Sequence, residues 1–389
     1  MRIVVYGGSF DPPHLGHLRA AMASSEYFAP DRFLVIPACQ PPHKELSGGS
    51  PGAGERLEMC RLCFGNIPNC TVSDLELRRG GKSYTADTIS ALREEHPEAE
   101  IVLLMGTDMF ESLDKWVRAE YIIKNVTVGV FARDEGELDG IMAKKAELES
   151  GFGARVEIVK TEPFAASSTE IRAALPKRGG TPLLTGEVYA YIVRNRLYGV
   201  RADFGWLRER AYEMLNPKRI PHVKGCEEEA VRLAGRWGAD AELAAEAGIL
   251  HDITKKLDLP EQLKLCERYG IIIDELERGN EKLLHSKTGA AVAENEFGSC
   301  REVVEAICWH TTGKPDMSLL EKIIYMADYI EPNRDFDGVE EMRRLAYEDL
   351  DAAMAMGLEM SLGDVVSRGK LPHENSVAAL KWYKEVTKK

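Results

Sequence analysis

Two sets of residues in this chain have the types and spacing to do chemistry on phosphates. The first is the run Gly7-Gly8-Ser9-Phe10-Asp11-Pro12-Pro13-His14-Leu15-Gly16-His17, placed directly after the apolar stretch Ile3–Tyr6. Two glycines after a strand let the backbone turn tightly and come close to a phosphate. A helix opening near Leu15 would aim unpaired N–H groups and a positive dipole end at the same anion. His14 and His17 are three apart, so both can face that site as the helix opens. Imidazoles there can donate hydrogen bonds to phosphate oxygens as charge develops on them. The run is neither G-x-G-x-x-G nor a Walker loop, since no Gly-Lys-Ser/Thr follows. A companion element, Ser167-Ser168-Thr169-Glu170-Ile171-Arg172, reads as a helix start capped by Ser168 or Thr169, with Arg172 on the first turn.

The second set is His222, the pair His251-Asp252, His285, His310 and Asp328, distributed over separate helical stretches. Each lies beside apolar or small residues, as in Ile249-Leu250-His251-Asp252-Ile253 and Met326-Ala327-Asp328-Tyr329-Ile330. Such side chains point inward, where an unpaired carboxylate is costly and a metal ion removes the cost. Any one of these histidines alone reads as a satisfied core residue, but six N/O donors together suit two divalent ions such as iron, manganese or zinc. Cys60 and Cys63 form the single C-x-x-C among eight scattered cysteines. With no second Cys or His pair nearby, they read as two reduced helix residues.

The elements that must position these residues differ between the two halves. Ile3–Tyr6, Phe33–Pro37, Ile101–Met105, Val126–Phe131 and Arg155–Val159 read as strands. Amphipathic stretches at Leu15–Tyr27, Arg56–Phe64, Thr85–Glu95 and Ile141–Glu149 alternate with them. That alternation predicts an α/β domain built on a doubly wound, Rossmann-like parallel sheet, with ligands at the carboxyl ends of the strands. After about Gly199 the β-rich runs cease and long helical periodicity follows, predicting an all-α domain. Helix boundaries are expected at Gly238-Ala239-Asp240 and Leu259-Pro260-Glu261, with another helix over Met317–Glu331. The expected domains are 1–198 and 203–389. Residues 1–200 carry 23 basic and 27 acidic side chains and residues 201–389 carry 27 and 36, so both halves are acidic.

A net charge of −13 excludes a general nucleic-acid binder or a partner of anionic membranes. A phosphate ligand must be held by a local site. No apolar run reaches the roughly 18–20 residues of a membrane helix, and the first residues show no signal-peptide cleavage pattern. A cytoplasmic enzyme of small-molecule substrates is expected, and a homo-oligomer is compatible with the composition.

The strand–turn–helix signature and the S-S-T-x-I-R element together resemble the H-x-G-H nucleotidyltransferase superfamily. Further matches narrow the resemblance to bacterial nicotinate-nucleotide adenylyltransferases over residues 1 to about 198: Pro41-Pro42-His43-Lys44, Ser83-Tyr84-Thr85-Ala86-Asp87-Thr88, Gly106-Thr107-Asp108 and Trp116. The resemblance implies transfer of AMP from ATP to nicotinate mononucleotide with Mg²⁺, giving nicotinate adenine dinucleotide and pyrophosphate by direct in-line attack. It implies that His14, His17, Ser168, Thr169 and Arg172 hold the ATP phosphates and that Gly7, Gly8, Ser9 and Phe10 line the nucleotide site. Lys44, Tyr84, Thr85, Asp108, Trp116 and Arg133 would form the mononucleotide side. Where the family continues with Pro-Gly after that arginine, this chain has Asp134-Glu135.

The order H…HD…D resembles the HD metal-dependent phosphohydrolases, and within them the bacterial symmetrical diadenosine tetraphosphate hydrolases. The carrying text is Arg219-Ile220-Pro221-His222-Val223, HDITKK at 251–256, HSKTGA at 285–290, WHTTG at 309–313 and ADYIEPNR at 327–334. It implies that His222, His251, Asp252, His285, His310 and Asp328 hold two metals, iron being the first expectation. A metal-activated water would cleave diadenosine tetraphosphate into two ADP, with Lys255 or Lys256, Thr311 and Arg334 on the remaining phosphates. Another nucleotide phosphoester as substrate, or a metal-stabilised regulatory module, are the alternatives.

Overall fold

The computed structural model describes residues 1–42, 46–132, 135–161, 164 and 166–388. The chain forms two compact units, Met1–Arg201 and Ala202–Lys389. No helix among the described residues is long and apolar enough to cross a membrane.

The first unit is built on six parallel strands: β1 (Arg2–Gly8), β2 (Arg32–Pro37), β3 (Cys70–Val72), β4 (Glu100–Gly106), β5 (Thr127–Phe131) and β6 (Val156–Val159). Their order in the sheet is β3-β2-β1-β4-β5-β6, every neighbouring pair parallel. The doubly wound expectation holds. β1 and β4 are buried along Ile3–Tyr6 and Ile101–Met105, as a sheet covered on both faces requires. The chain runs from β1 outward to β2 and β3, then crosses to β4 on the other side of β1. That reversal opens a crevice at the carboxyl ends of β1 and β4, where Tyr6 pairs with Leu104. β3 has three residues, too few for a period-2 pattern to be read beforehand.

The expected helices Leu15–Phe28, Ala53–Phe64, Thr85–Glu95 and Leu138–Phe152 are present, three of them longer than the periodicity alone suggested. Cys60 and Cys63 lie inside Ala53–Phe64, both buried. Burial pushes the Cys63 thiol up to about 12 and the Cys60 thiol well above its usual range. Neither thiol is poised to ionise for metal or redox work.

The second unit is entirely helical among its described residues. Ile220–Trp237 packs on Ala241–Leu250 and Leu319–Ile330, while Arg301–Trp309 packs on Glu281–Glu296, Leu319–Ile330 and Ala241–Leu250. The expected boundary at 238–240 is explicit. Gly238 takes the left-handed conformation (φ 76°), and Asp240 accepts the N–H groups of Glu242 and Leu243 to start the next helix. The two helices then cross so closely that a Cβ on Gly248 would stand 2.8 Å from the Cα of Glu227.

Two stability measurements check this packing. Gly248→Ala forces backbone apart and should lower the stability of the second unit by about 1–3 kcal/mol in urea denaturation. A wild-type midpoint for that variant would mean the crossing is looser than described. For the buried thiols, the folded pKa lies above the unfolded value. Their contribution is therefore full below pH about 9 and is lost as pH rises toward 12, by about 1.4 kcal/mol per pH unit per thiol. The first unit should accordingly weaken between pH 9 and 11, and Cys63→Ala should flatten part of that slope.

Candidate active sites

A cavity of about 640 Å³ opens at the crevice between β1 and β4. Gly7, Gly8, Ser9, Phe10, His14 and His17 line it, Ser168 and Thr169 contribute to its wall, and Tyr84, Thr85, Asp108 and Trp116 face the same space. Two groups of residues far apart in sequence thus share one chamber of substrate size. Lys44 and Arg133, expected on the mononucleotide side, lie outside the described residues, as does Asp134.

The signature loop is held from below. Phe10 adopts a left-handed backbone (φ 46°), uncommon for a bulky residue, and packs edge-on against Tyr6 and Phe64 at centroid distances of 5.4 and 5.5 Å. Arg56 is fully buried and donates to the carbonyls of Ser9 (2.7 Å), Ala38 (2.7 Å) and Cys39 (3.1 Å). One guanidinium therefore ties the ends of β1 and β2 together. Burial lowers its pKa, with Asp11 opposing that shift.

His14 is the N-cap residue of the helix Leu15–Phe28 and His17 its third residue, with ring centroids 3.7 Å apart. The His14 backbone N–H donates to His17 Nδ1 (3.2 Å), which leaves the neutral ring's proton on Nε2 as a donor. The S-S-T element corrects one expectation. Ser167, not Ser168 or Thr169, caps the helix Ser168–Ala174: its hydroxyl accepts from Glu170 N–H, and the Glu170 carboxylate returns to the Ser167 N–H. Ser168 is thereby free to donate to the Pro12 carbonyl at 3.0 Å. Arg172 does not line the cavity. Its guanidinium donates to the Asp11 carbonyl (2.5 Å) and to Thr169 Oγ1 (3.2 Å). Trp116 is half-buried, packs on the core beneath, and bonds Ser112 through its indole N–H (3.3 Å), so it serves as both core and cavity wall.

In the second unit all six expected ligands converge. Asp252, 0 % exposed, stands at the centre. Its Oδ2 faces His251 (3.5 Å) and His222 (3.8 Å), and its Oδ1 faces His285 (3.2 Å) and His310 (3.7 Å). Asp328 lies 3.1 Å from His222 Nε2. The donors divide into one group of His222, His251 and Asp328, with Cys226 beside them, and another of Asp252, His285 and His310.

The ring orientations favour a cation. His251, His285 and His310 point Nδ1 at the carbonyls of Gly248 (2.8 Å), Lys282 (2.8 Å) and Ile307 (2.7 Å), and His222 points Nδ1 at Glu331 (3.0 Å). With each Nδ1 proton so engaged, the neutral rings turn Nε2 lone pairs inward. Those nitrogens approach pairwise, 3.3 Å between His222 and His251 and 3.1 Å between His285 and His310. Opposed lone pairs at that distance repel unless a positive charge sits between them, and this outer shell is what metal-ligating histidines require. Burial, reinforced by Lys255, pushes His285 down to about 4, and burial lowers His310. For His251 burial works downward, but the pull of Asp252 exceeds it and the ring is shifted up. A proton and a divalent ion compete for that lone pair. Burial would raise Asp252 and Asp328, but the facing imidazoles outweigh it and hold both well below the carboxylate range. The donor set fits divalent metal.

Four residues near this centre escaped the sequence reading. Arg219 pairs with Asp252 at 2.5 Å, Glu331 orients His222, and Asn333 donates to Glu331 at 2.8 Å. Cys226 Sγ lies 3.4 Å from His222 Nε2, within ligating reach of the same space as His222, His251 and Asp328, and also meets the Ala327 carbonyl at 3.8 Å. The expected phosphate holders surround the centre: Lys255 meets His285 at 2.9 Å, Thr311 meets His310 at 3.3 Å, and Arg334 pairs with Asp328 at 2.5 Å. A separate cluster brings Asp274, Glu277 and His373 together. Asn375 N–H donates to His373 Nδ1 (3.1 Å), His373 Nε2 stands 3.0 Å from Asp274 without hydrogen-bond geometry, and Lys287 pairs with Glu277 (2.7 Å).

A family model for cytidylyltransferase-like proteins matches residues 5–174, the span that holds both phosphate motifs. A protein of Gemmatimonas aurantiaca named "Probable nicotinate-nucleotide adenylyltransferase" is 37% identical over 202 residues, covering 51% of this chain and 92% of that one. The chain belongs to the nicotinate-nucleotide adenylyltransferase family. A Gloeobacter violaceus protein of the same name is 36% identical, covering 52% of this chain and 98% of its own length. Family membership thus accounts for the first unit, and residues 219–333 match the HD domain, a span containing all six convergent ligands. A solved structure titled "predicted HD superfamily hydrolase involved in NAD metabolism", from Clostridium acetobutylicum, is 38% identical, covering 48% of this chain and 98% of that one with a TM-score of 0.46.

The outer shell is testable without a substrate. Glu331→Gln keeps the shape but weakens the hold on the His222 ring, and should reduce Mn²⁺ affinity about 10–100-fold in calorimetric titration. Unchanged affinity would show that His222 needs no carboxylate to orient it.

Proposed function

We propose that the chain is a bifunctional nucleotide enzyme. The first unit transfers AMP from ATP to nicotinate mononucleotide. A phosphate oxygen of the mononucleotide attacks the α-phosphorus of Mg·ATP, the bond from that phosphorus to the bridging oxygen breaks, and pyrophosphate leaves. No protein nucleophile is required, so the residues bind, orient and stabilise charge. His14 and His17 donate to the phosphates from the helix start, Ser168, Thr169 and Arg172 approach from the opposite motif, and residues 7–10 pass the nucleotide closely. Tyr84, Thr85, Asp108 and Trp116 take the mononucleotide, with Lys44 and Arg133 on that side by family resemblance. The supporting observation is the shared cavity: His14, His17, Ser168 and Thr169 line one chamber with Tyr84, Thr85, Asp108 and Trp116, as an end-to-end displacement demands, and Arg172 stands beside it on the Asp11 carbonyl.

The second unit is a metal-dependent phosphohydrolase that cleaves diadenosine tetraphosphate into two ADP. His222, His251, Asp252, His285, His310 and Asp328 would hold two divalent ions, iron first, with manganese or zinc as the alternatives. Ions there supply activation of water and neutralisation of phosphate charge. Lys255, Thr311 and Arg334, joined by Arg219, are placed to hold the phosphates on either side of the cleaved bond; Arg334 suits bidentate recognition. Several cations around one centre favour an oligophosphate over a single phosphate.

The decisive assay incubates the purified chain with ATP and nicotinate mononucleotide, and separately with diadenosine tetraphosphate and Fe²⁺ or Mn²⁺, resolving nucleotides by anion exchange. ADP as sole product of the second reaction is expected; ATP plus AMP would mean attack at another phosphate, and no cleavage with metal bound would overturn the assignment. His17→Ala should depress adenylyl transfer by on the order of 100-fold and spare hydrolysis. Asp252→Ala should do the reverse, with loss of bound metal. Loss of both activities from either substitution in a folded chain would end the independent-domain account.

A further inference from the structure

The carboxylate of Asp11 lies in the signature loop, is 2 % exposed, and has an unusual set of partners. Tyr198 donates its hydroxyl to Oδ1 at 2.9 Å, Ser50 donates to Oδ2 at 2.6 Å, and the Arg172 guanidinium stands 3.5 Å from Oδ2 while donating to the Asp11 carbonyl. Tyr198 comes from the far end of the first unit and holds a left-handed backbone (φ 57°), a conformation that a bulky residue keeps only where its surroundings fix it. Burial and the adjacent carboxylate push its hydroxyl far above the usual range, so it remains a donor at any physiological pH.

We propose that Tyr198 is a positioning residue for Arg172, acting through Asp11. The inference rests on the adenylyl-transfer reading for the role of Arg172 and goes beyond it in naming what sets that arginine's availability. Arg172 is shared between two anions, the Asp11 carboxylate and the incoming ATP phosphates. A buried carboxylate with few donors holds a neighbouring guanidinium tightly; one already satisfied by two hydroxyls holds it less. Tyr198 and Ser50 supply those hydroxyls. They keep Asp11 fixed, so that the guanidinium has a defined resting place beside the cavity, and they reduce the charge it must leave when ATP arrives. Removing the Tyr198 hydroxyl leaves Asp11 to Ser50, buried Arg56 and Arg172; of the two cations Arg172 is the one less buried, so the carboxylate holds it more tightly and ATP competes harder for it. The described partners of the Asp11 carboxylate, Tyr198, Ser50 and Arg172, are distinct from Tyr84, Thr85 and Asp108 on the mononucleotide side.

The test compares wild type, Tyr198→Phe, Arg172→Lys and the double variant in the full chain. Binding of a non-hydrolysable ATP analogue is titrated calorimetrically, the KM for each substrate is measured, and thermal melting reports folding. Tyr198→Phe should weaken analogue binding and raise the KM for ATP about fivefold, with the KM for nicotinate mononucleotide unchanged. In the Arg172→Lys background the same substitution should change analogue binding less than twofold. Unaltered ATP affinity in folded Tyr198→Phe would overturn the proposal, as would equal losses in both arginine backgrounds. A wild-type chain that binds the analogue but forms no dinucleotide would instead overturn the adenylyl-transfer reading, leaving the binding comparison to decide the role of Tyr198.

Discussion

A carboxylate removed from water has to be met by hydrogen-bond donors or positive charge, and both halves of this chain are organised around that constraint. In the first unit the buried group is Asp11, met by Ser50, Tyr198 and Arg172, residues from three widely separated parts of the sequence. In the second it is Asp252, met by Arg219 and Lys255 and ringed by four imidazoles, with its Oδ1 left without a hydrogen-bond donor among the described residues. Removing one partner of such a group typically costs about 3–5 kcal/mol, because the remaining charge is left buried and uncompensated. The partners are therefore fixed in place by the same term that makes the site. At Asp11 the partners fix the loop that faces a phosphate. At Asp252 the same requirement gathers donors into a cage suited to metal.

On the proposed reading, the two phosphate sites solve the problem of an acidic protein in different ways. The first unit would use dipoles: a helix start at Leu15, imidazole donors at His14 and His17, and hydroxyls at Ser168 and Thr169. These groups need no net positive charge and cost little reorganisation when a phosphate arrives. The second unit would use full charges, Arg219, Lys255 and Arg334, each paired here with a carboxylate or an imidazole of the cage. Divalent ions in that cage would take over the neutralisation of Asp252 and Asp328 and release those cations toward an anionic substrate.

How much of this could be read beforehand depended on the distance over which each feature is encoded. His14 and His17 were legible because a strand, a glycine turn and a helix start occupy seventeen consecutive residues. The six HD ligands were legible because histidine and aspartate embedded in apolar helix sequence are costly to bury unless a counter-charge meets them. Arg219 and Glu331 were not, since a charged residue at the end of an apolar run looks the same whether it ends a helix or steadies an imidazole. Three consecutive hydroxyl residues leave the cap ambiguous by type alone, and Glu170, three after Ser167, is the mark of a capping box that singles out Ser167. Tyr198 shows the deeper limit: its partner is 187 residues away, and nothing local to either residue announces the other.

That long-range link bears on why the first unit ends where it does. Its sheet is complete at Val159 and its second phosphate motif at Arg172, yet the chain continues through Gly186–Arg194 to Tyr198 before the second unit begins. The helix Gly186–Arg194 buries Val188, Tyr189, Ile192 and Val193 and packs against Ala53–Phe64, the helix that carries Arg56. It therefore covers the element whose guanidinium ties β1 to β2, and it delivers Tyr198 to the carboxylate of the signature loop. Both supports of the signature loop, Arg56 on the Ser9 carbonyl and Asp11 within the loop, are backed by residues that follow the last strand. A segment with no phosphate motif of its own thus sets the geometry of both motifs, through apolar packing at one point and a single hydroxyl at the other.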